Sequence, residues 1–451
     1  MYTAWQKKII VINVCIIMFI NALSLGIVTP VFPELLLSDT KGLILDNNIS
    51  RVFMYSLCVS VIPMASMVGV PIFGIVSNMH KRINVILLGI IGNFLSYGIA
   101  VIAIIMHDVW LFLFSRVISG VCLGVFSLSN ILMNDISDET RERTYYFKLS
   151  ILCTLGGSIV GPMLSILCMK IKLDNPLLHS LLVPYIAASC LYIISILSTL
   201  YCYKLVVGSS YKQQQNRKSY DFDTKFVAKE LFNSVVFMFK YPKRKIVATV
   251  FVMHQFANGL FVQGLPMYLA KYLNYTPLQL SYLMLAISLT IMMSTYLYDK
   301  FEWLTSDNSY QTQLKLAVLF TGSINIIIFS LGHFLVSFDI QLYHHAFFWI
   351  SAMTIYALTP VFKFSFTELF VRCVEEKGAR KGEVSFVDTH NAQDSLGNAI
   401  GSMPQISQVA GFLSGLLVGI LLTYRDILLI CGMTYMLAFG LLLYYFRKYE
   451  S

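Results

Sequence analysis

Gly157-Ser158-Ile159-Val160-Gly161-Pro162-Met163-Leu164-Ser165 sits inside a long apolar run. Gly157, Gly161 and Ser165 recur at every fourth position, so on a helix they form one smooth ridge. In lipid such a ridge lets a second helix approach backbone to backbone. Pro162 removes a backbone donor in mid-span, which a membrane helix tolerates where its neighbours re-satisfy the freed carbonyl. A ridge joined to a proline describes a helix that packs closely and also bends or rocks, the mechanical part of a carrier.

The composition around this stretch agrees with a membrane setting. Of 451 residues, 57% are hydrophobic and only 13% are charged, about half the share in soluble domains. Mean hydropathy is +0.70. The expectation is an all-α, multi-pass membrane protein whose core is buried in lipid and between helices. A net charge of +9 on a soluble chain would point to nucleic acid. Here Lys and Arg held on the cytoplasmic side account for it, and no nucleic-acid partner is expected. The nine cysteines fall mostly in apolar stretches without metal-ligand spacing and read as small apolar fillers. No G-x4-G-K-[ST] phosphate loop, zinc set or nucleophile constellation is present. The chain is therefore read as no enzyme, with no cofactor and no metal, drawing on a proton or other ion gradient rather than on ATP.

A span needs about 20 apolar residues, and twelve such segments can be marked. The first six are roughly 9–36, 53–76, 83–106, 109–133, 147–170 and 182–205. The second six are roughly 246–271, 278–298, 313–336, 345–370, 396–422 and 426–446. They divide the chain into an N-terminal six-helix bundle (1–206), a cytoplasmic linker (207–245) with an amphipathic segment around 226–239, and a C-terminal six-helix bundle (246–451). Basic loops at Lys81-Arg82, Arg141 to Lys148, the linker, Arg372 to Lys381 and Arg447-Lys448 fall on one side, which makes both termini cytoplasmic. Lys7-Lys8 precede a first apolar run too long for a signal-peptide core. The halves repeat weakly: Pro33 and Pro266 close the first and seventh spans, and Asn78 and Asp299 follow the second and eighth. Two pseudo-symmetric sets of six spans suit alternating access around a mid-membrane site.

Within the spans a few polar residues stand out. Arg116 lies seven residues into the fourth span, where a guanidinium costs at least ~2.5 kcal/mol. It shares one helix face with Gly120, Leu123, Ser127, Asn130 and Asn134. Two readings stay open: coupling or binding of an anionic group, and a structural pair with a carbonyl or a neighbouring helix. Asn13, Asn21 and Ser24 mark a stripe on the first span, with Asn21 either a ligand contact or a helix–helix hydrogen bond. The seventh span carries His254, Gln255, Asn258 and Gln263, whose i,i+4 spacing makes adjacent polar stripes suited to an aqueous cavity. His254 titrates near physiological pH, so a proton role stands beside a packing role. Lys363 and Glu368 lie in the inner third of the tenth span, either snorkelling to water or forming a gate pair.

Five places resemble the major facilitator superfamily, and within it the twelve-span drug:proton antiporters that include the tetracycline efflux proteins. Gly26-x3-Pro30-x2-Pro33 is similar to that group's first-helix G-x-x-x-P-x-x-P. Gly74-x3-Asn78-x3-Arg82 resembles its gate loop, with Asn78 in place of the acid and Lys81 in place of a glycine. Arg116-x3-Gly120 resembles its fourth-helix R-x3-G, and Asp135 to Arg143 the loop that follows. Gly157-x3-Gly161-Pro162 resembles its antiporter motif G-x3-G-P-x2-G, with Ser165 at the last glycine. Gly397-x3-Gly401 falls on its late small-residue helix. Asn21 stands where many drug antiporters carry an acid, while Asp299 and Lys300 resemble the gate-loop pair of the second half.

The resemblance implies a secondary transporter in which Gly74, Asn78, Arg82, Gly157, Gly161, Pro162, Asp299 and Lys300 move or gate, and the position of Lys363 and Glu368 adds them to that set as a candidate gate pair. Asn21, Arg116, Asn130, His254, Gln255, Asn258 and Gln263 would meet substrate or coupling ion. The implied activity is proton-coupled efflux of a small amphipathic molecule or drug, by a monomer in the cell membrane, in particular a bacterial inner membrane. Because the charges inside the spans are mainly basic, a carrier of an organic anion, such as a carboxylate siderophore or metabolite, is the alternative. A membrane sensor that kept the fold and lost transport is the alternative of another class.

Overall fold

The computed structural model of the chain describes residues 3–38, 42–44, 50–137, 140–171, 181–207, 239, 242–301, 309–336, 349–350, 352–359, 361–362, 365–366, 369, 407–420 and 424–449. The linker, Lys363 and Glu368 lie outside them, as do the side chains of Asn78, Asp299 and Lys300. Parts of the tenth and eleventh spans fall outside as well.

The described chain is built of helices: α1 (Ala4–Val28), α2 (Phe32–Leu37), α3 (Arg51–Met79), α4 (Arg82–Met106), α5 (Val109–Cys122), α6 (Gly124–Ile136), α7 (Thr140–Lys170) and α8 (Val183–Val207). These are followed by α9 (Pro242–Tyr272), α10 (Pro277–Phe301), α11 (Ser309–Val336), α12 (Ser407–Ile420) and α13 (Tyr424–Tyr449). Among the described residues nine helical stretches are long and apolar enough to cross a membrane.

Local chemistry explains where these helices begin and break. Thr3 caps α1 with a reciprocal pair of bonds to Gln6, the arrangement that satisfies two orphan donors at a helix start. The first span does not run unbroken to residue 36. Pro30 and Pro33 lack the donors a continuous helix needs, so α1 stops at Val28, a tight turn with Val31 N donating to Val28 O follows, and the short α2 begins. Asp108 caps α5 by accepting from the amides of Trp110 (2.8 Å) and Leu111 (3.2 Å). The fourth span tightens at Leu123, where bonds of the i to i−3 kind separate α5 from α6. By contrast α7 continues through Pro162, and it starts earlier than the sequence pattern suggests, taking Arg141 to Arg143 into its first turn.

The chain forms two compact units, Met1–Val227 with Leu269–Ser288, and Ala228–Tyr268 with Leu289–Ser451. In the first, α1 packs on α7 and α8, α3 on α5 and α6, and α4 on α5 and α8. Its centre is a train of rings, Tyr55–Phe32–Phe112–Tyr185–Tyr97–Tyr192, with successive centroids 5.4 to 6.5 Å apart. In the second, α11 packs on α13, and α9 meets both α12 and α13.

The two units reuse one packing device. In the first, a methyl added to Gly161 would lie 2.7 Å from Gly26 Cα and 2.8 Å from Leu23 O, and one on Gly157 would collide with Phe19 O. The ridge on α7 therefore meets the backbone of α1 directly, as close-packed membrane helices do. In the second, Gly259 of α9 faces Ser414 and Gly411 of α12. The first and fifth spans of one half thus pair as the seventh and eleventh of the other do.

Candidate functional site

In the first unit side chains of α4, α5 and α8 surround Arg116. The Asp108 cap fixes the start of α5, and two turns later Arg116 is only 3% exposed. Its guanidinium carbon lies 5.0 Å from the ring centre of Phe112, 5.5 Å from Tyr97 and 5.6 Å from Tyr185. Gly120, one turn on, keeps the backbone of α5 against α3, since a methyl there would meet Ile62 O at 2.5 Å and Ala65 Cβ at 2.7 Å. The Nε group donates to Ser115 Oγ at 3.3 Å. The Nη2 nitrogen is buried without a hydrogen-bond partner, as is the phenol of Tyr185. No ion-pair partner of Arg116 exists among the described residues. Contacts with rings contribute about 0.5–2 kcal/mol each. Three of them together are comparable to an effective desolvation cost of several kcal/mol, but they supply no counter-ion and leave Nη2 without an acceptor.

Asn21 belongs to the same neighbourhood. Its Oδ1 accepts from Tyr192 OH at 3.0 Å, and the Tyr192 ring stacks on Tyr97 at 5.4 Å, which in turn faces Arg116. Asn13, two turns earlier, accepts from Ser198 (2.9 Å) and Thr199 (3.3 Å) of α8. The α1 stripe is thus largely engaged with α8. Sequence reasoning missed Tyr97, Phe112, Tyr185 and Tyr192, although a tyrosine deep in a span carries a hydroxyl that needs a partner.

Asn130 does not join this group. It lies on α6 beyond the Leu123 break and accepts from Ser150 Oγ of α7 at 3.2 Å. Arg82, at the start of α4, forms an ion pair with Asp135 at the end of α6 and also reaches Ile131 O at 3.4 Å. Gly74 makes no close approach, because a methyl there would meet nothing within 4 Å. Lys7 of α1 pairs with Glu142 of α7 at 3.2 Å, and Tyr146 OH donates to the same carboxylate at 2.6 Å.

In the second unit the four polar residues of α9 diverge. His254 is 8% exposed. It stacks on Phe362 at 4.1 Å, lies 5.5 Å from Phe366, and shares a 3.2 Å hydrogen bond between Nδ1 and Tyr435 OH. Gln263 turns toward α12, donating from Nε2 to Gly411 O at 3.2 Å. Gln255 and Asn258 are half-buried. No cluster of three or more potential metal ligands occurs among the described residues.

Residues 14–372 match the Major Facilitator Superfamily. The chain belongs to this family. Its helices that are long and apolar enough to cross a membrane, nine among the described residues, fit a multi-pass membrane protein of that family. Over 166 residues the chain is 25% identical to the class E tetracycline resistance protein of Escherichia coli, an alignment covering 37% of this chain and 38% of that protein. Less than half the length of that relative is therefore spanned. The fold matches the crystal structure of the human organic anion transporter MFSD10 (TETRAN), with a TM-score of 0.59 at 16% identity over 97% of this chain and 99% of that one. It also matches the xylose transporter XylE from E. coli, with a TM-score of 0.65 at 12% identity over 98% of both chains. These two likenesses are of fold.

Proposed function

We propose that this major facilitator protein exports a small amphipathic solute in exchange for protons. Two six-helix bundles (1–206 and 246–451) joined by the 207–245 linker would rock to give alternating access. The carrying observation is the seating of Gly157 and Gly161 against the α1 backbone at Leu23 and Gly26. It gives the antiporter-like stretch of α7 the close helix contact that its small residues permit. The likeness to a tetracycline resistance protein supports efflux as the direction. In this reading both termini are cytoplasmic, the membrane is a bacterial inner membrane, and the working unit is a monomer.

Arg116 and Asn21, with their rings, hold the solute. Gln255 and Asn258 line its path, while Asn130 and Gln263 brace the helices beside it. The gating set is Gly74, Asn78, Arg82, Asp299, Lys300, Lys363 and Glu368, in which Arg82 is locked to Asp135. His254 is the titratable member of the binding set and the proposed proton carrier, with Tyr435 as its hydrogen-bond partner.

Proteoliposomes with an imposed pH gradient test this reading. Gradient-driven solute movement with matching proton counterflow is expected from the wild type. His254→Asn should lose the gradient dependence, by on the order of tenfold, yet still exchange labelled for unlabelled solute. A wild type that moves no solute under any gradient overturns the reading, and a His254→Asn variant that still couples removes His254 from it.

A further inference from the structure

We infer that Arg116 and Tyr185 form an anchor for the carboxylate of an amphipathic monoanion, so that the solute itself supplies the counter-ion this arginine lacks. The inference rests on the transport reading above and specifies its solute.

Three observations carry it. First, Arg116 is buried and has no acid partner among the described residues, and its Nη2 nitrogen donates to nothing. A guanidinium in a span normally pairs with an acid or a carbonyl, and Asn21, the polar residue linked to it through Tyr192 and Tyr97, bears no charge. Second, the Tyr185 phenol beside it is fully buried and also lacks a partner. Two unspent donors on neighbouring side chains match the two oxygens of one carboxylate. Third, the charge is surrounded by the rings of Phe112, Tyr97 and Tyr185, an aromatic setting that suits an apolar body attached to that carboxylate.

The charge balance selects the ligand further. One positive charge in an apolar shell neutralises one negative charge, whereas a dianion would leave a surplus charge out of water. A cation would meet Arg116 with like charge and is disfavoured. A neutral solute would leave the guanidinium as it is.

Binding to purified protein in nanodiscs without any gradient tests the site separately from transport. The probes are 2-naphthoate, its neutral analogue 2-naphthamide and the cation 2-naphthylmethylammonium, measured by calorimetry. Wild type should bind naphthoate at least about tenfold more tightly than either analogue, from the charge-assisted pair. Arg116→Gln should abolish that preference. Tyr185→Phe, which keeps the ring and removes only the hydroxyl, should weaken naphthoate several-fold and narrow its preference over naphthamide. This second variant keeps the test open if Arg116→Gln does not fold. Equal affinity for the three probes, or a naphthoate preference unchanged in Tyr185→Phe, overturns the inference while leaving proton-driven export standing. Selective naphthoate binding by a protein that moves no solute in proteoliposomes upholds the site and sinks the export reading.

Discussion

Arg116 concentrates the chemistry of the first unit because it is a charge placed where charge is expensive. Replacing it by alanine deletes a buried cation and leaves room among three rings. Loss of packing and relief of desolvation then act in opposite directions. The expected outcome for Arg116→Ala is unimpaired membrane insertion, a stability within about 1 kcal/mol of wild type, and abolished transport. Quantitative immunoblotting of membranes alongside vesicle transport checks it, and normal transport by that variant would refute the role. The cost of Arg116 was legible from its position in the span. Its missing partner was not, because the side chains that surround a residue on α5 come largely from other helices, α4 and α8. His254 shows the same division: its i,i+4 relation to Asn258 follows from helix geometry. Its stacking on Phe362 and its bond to Tyr435, 181 positions away, follow only from folding.

At the scale of elements, the α1–α7 pair is the best-fastened contact of the first unit. It is tied near the helix starts by Lys7 and Glu142 and in the middle by Gly26, Gly157 and Gly161. Gly161→Val drives side-chain atoms into Gly26 and Leu23, and overpacking of that kind costs about 1–3 kcal/mol. A fall in Tm in detergent is expected. Gly98→Ala, whose methyl meets nothing within 4 Å, should leave Tm unchanged or raised. An equal fall in both variants would count against the ridge. Ser165, where the antiporter motif has glycine, accepts a 3.0 Å hydrogen bond from Ser281 Oγ of α10, and both serines are fully buried. A double-mutant cycle with Ser165→Ala and Ser281→Ala should return a coupling of about 0.6 kcal/mol, the usual size for such bonds in membranes. A coupling of zero would mean that the hydroxyl at position 165 has no energetic role. The spacing of the ridge was readable at once, but the identity of the helix it meets was not.

For the whole molecule, the distribution of Lys and Arg predicts that both termini lie on the cytoplasmic side. A reporter active only in the cytoplasm, fused after Ser451, should be active, and one that works only outside it should be silent. The reverse result would invert the direction assigned to every loop. Family membership, the helical membrane fold and the approximate positions of the nine spans found among the described residues were all available from the linear chain. Lipid makes this so: it demands long apolar segments and internally satisfied backbone bonds, and those demands leave a local, periodic trace. The break at Leu123 was not available, since it depends on which bonds the neighbouring turns can still make, whereas the one at Thr29–Val31 follows from Pro30 and Pro33 themselves. Nor was the aromatic box around Arg116. Its rings come from α4, α5 and α8, and Asn21 joins through a bond spanning 171 positions. Phe112 lies one turn before Arg116 on the same helix, but the contacts with Tyr97 and Tyr185 have no period and leave no mark in sequence spacing; only the packed tertiary structure brings those rings to one charge.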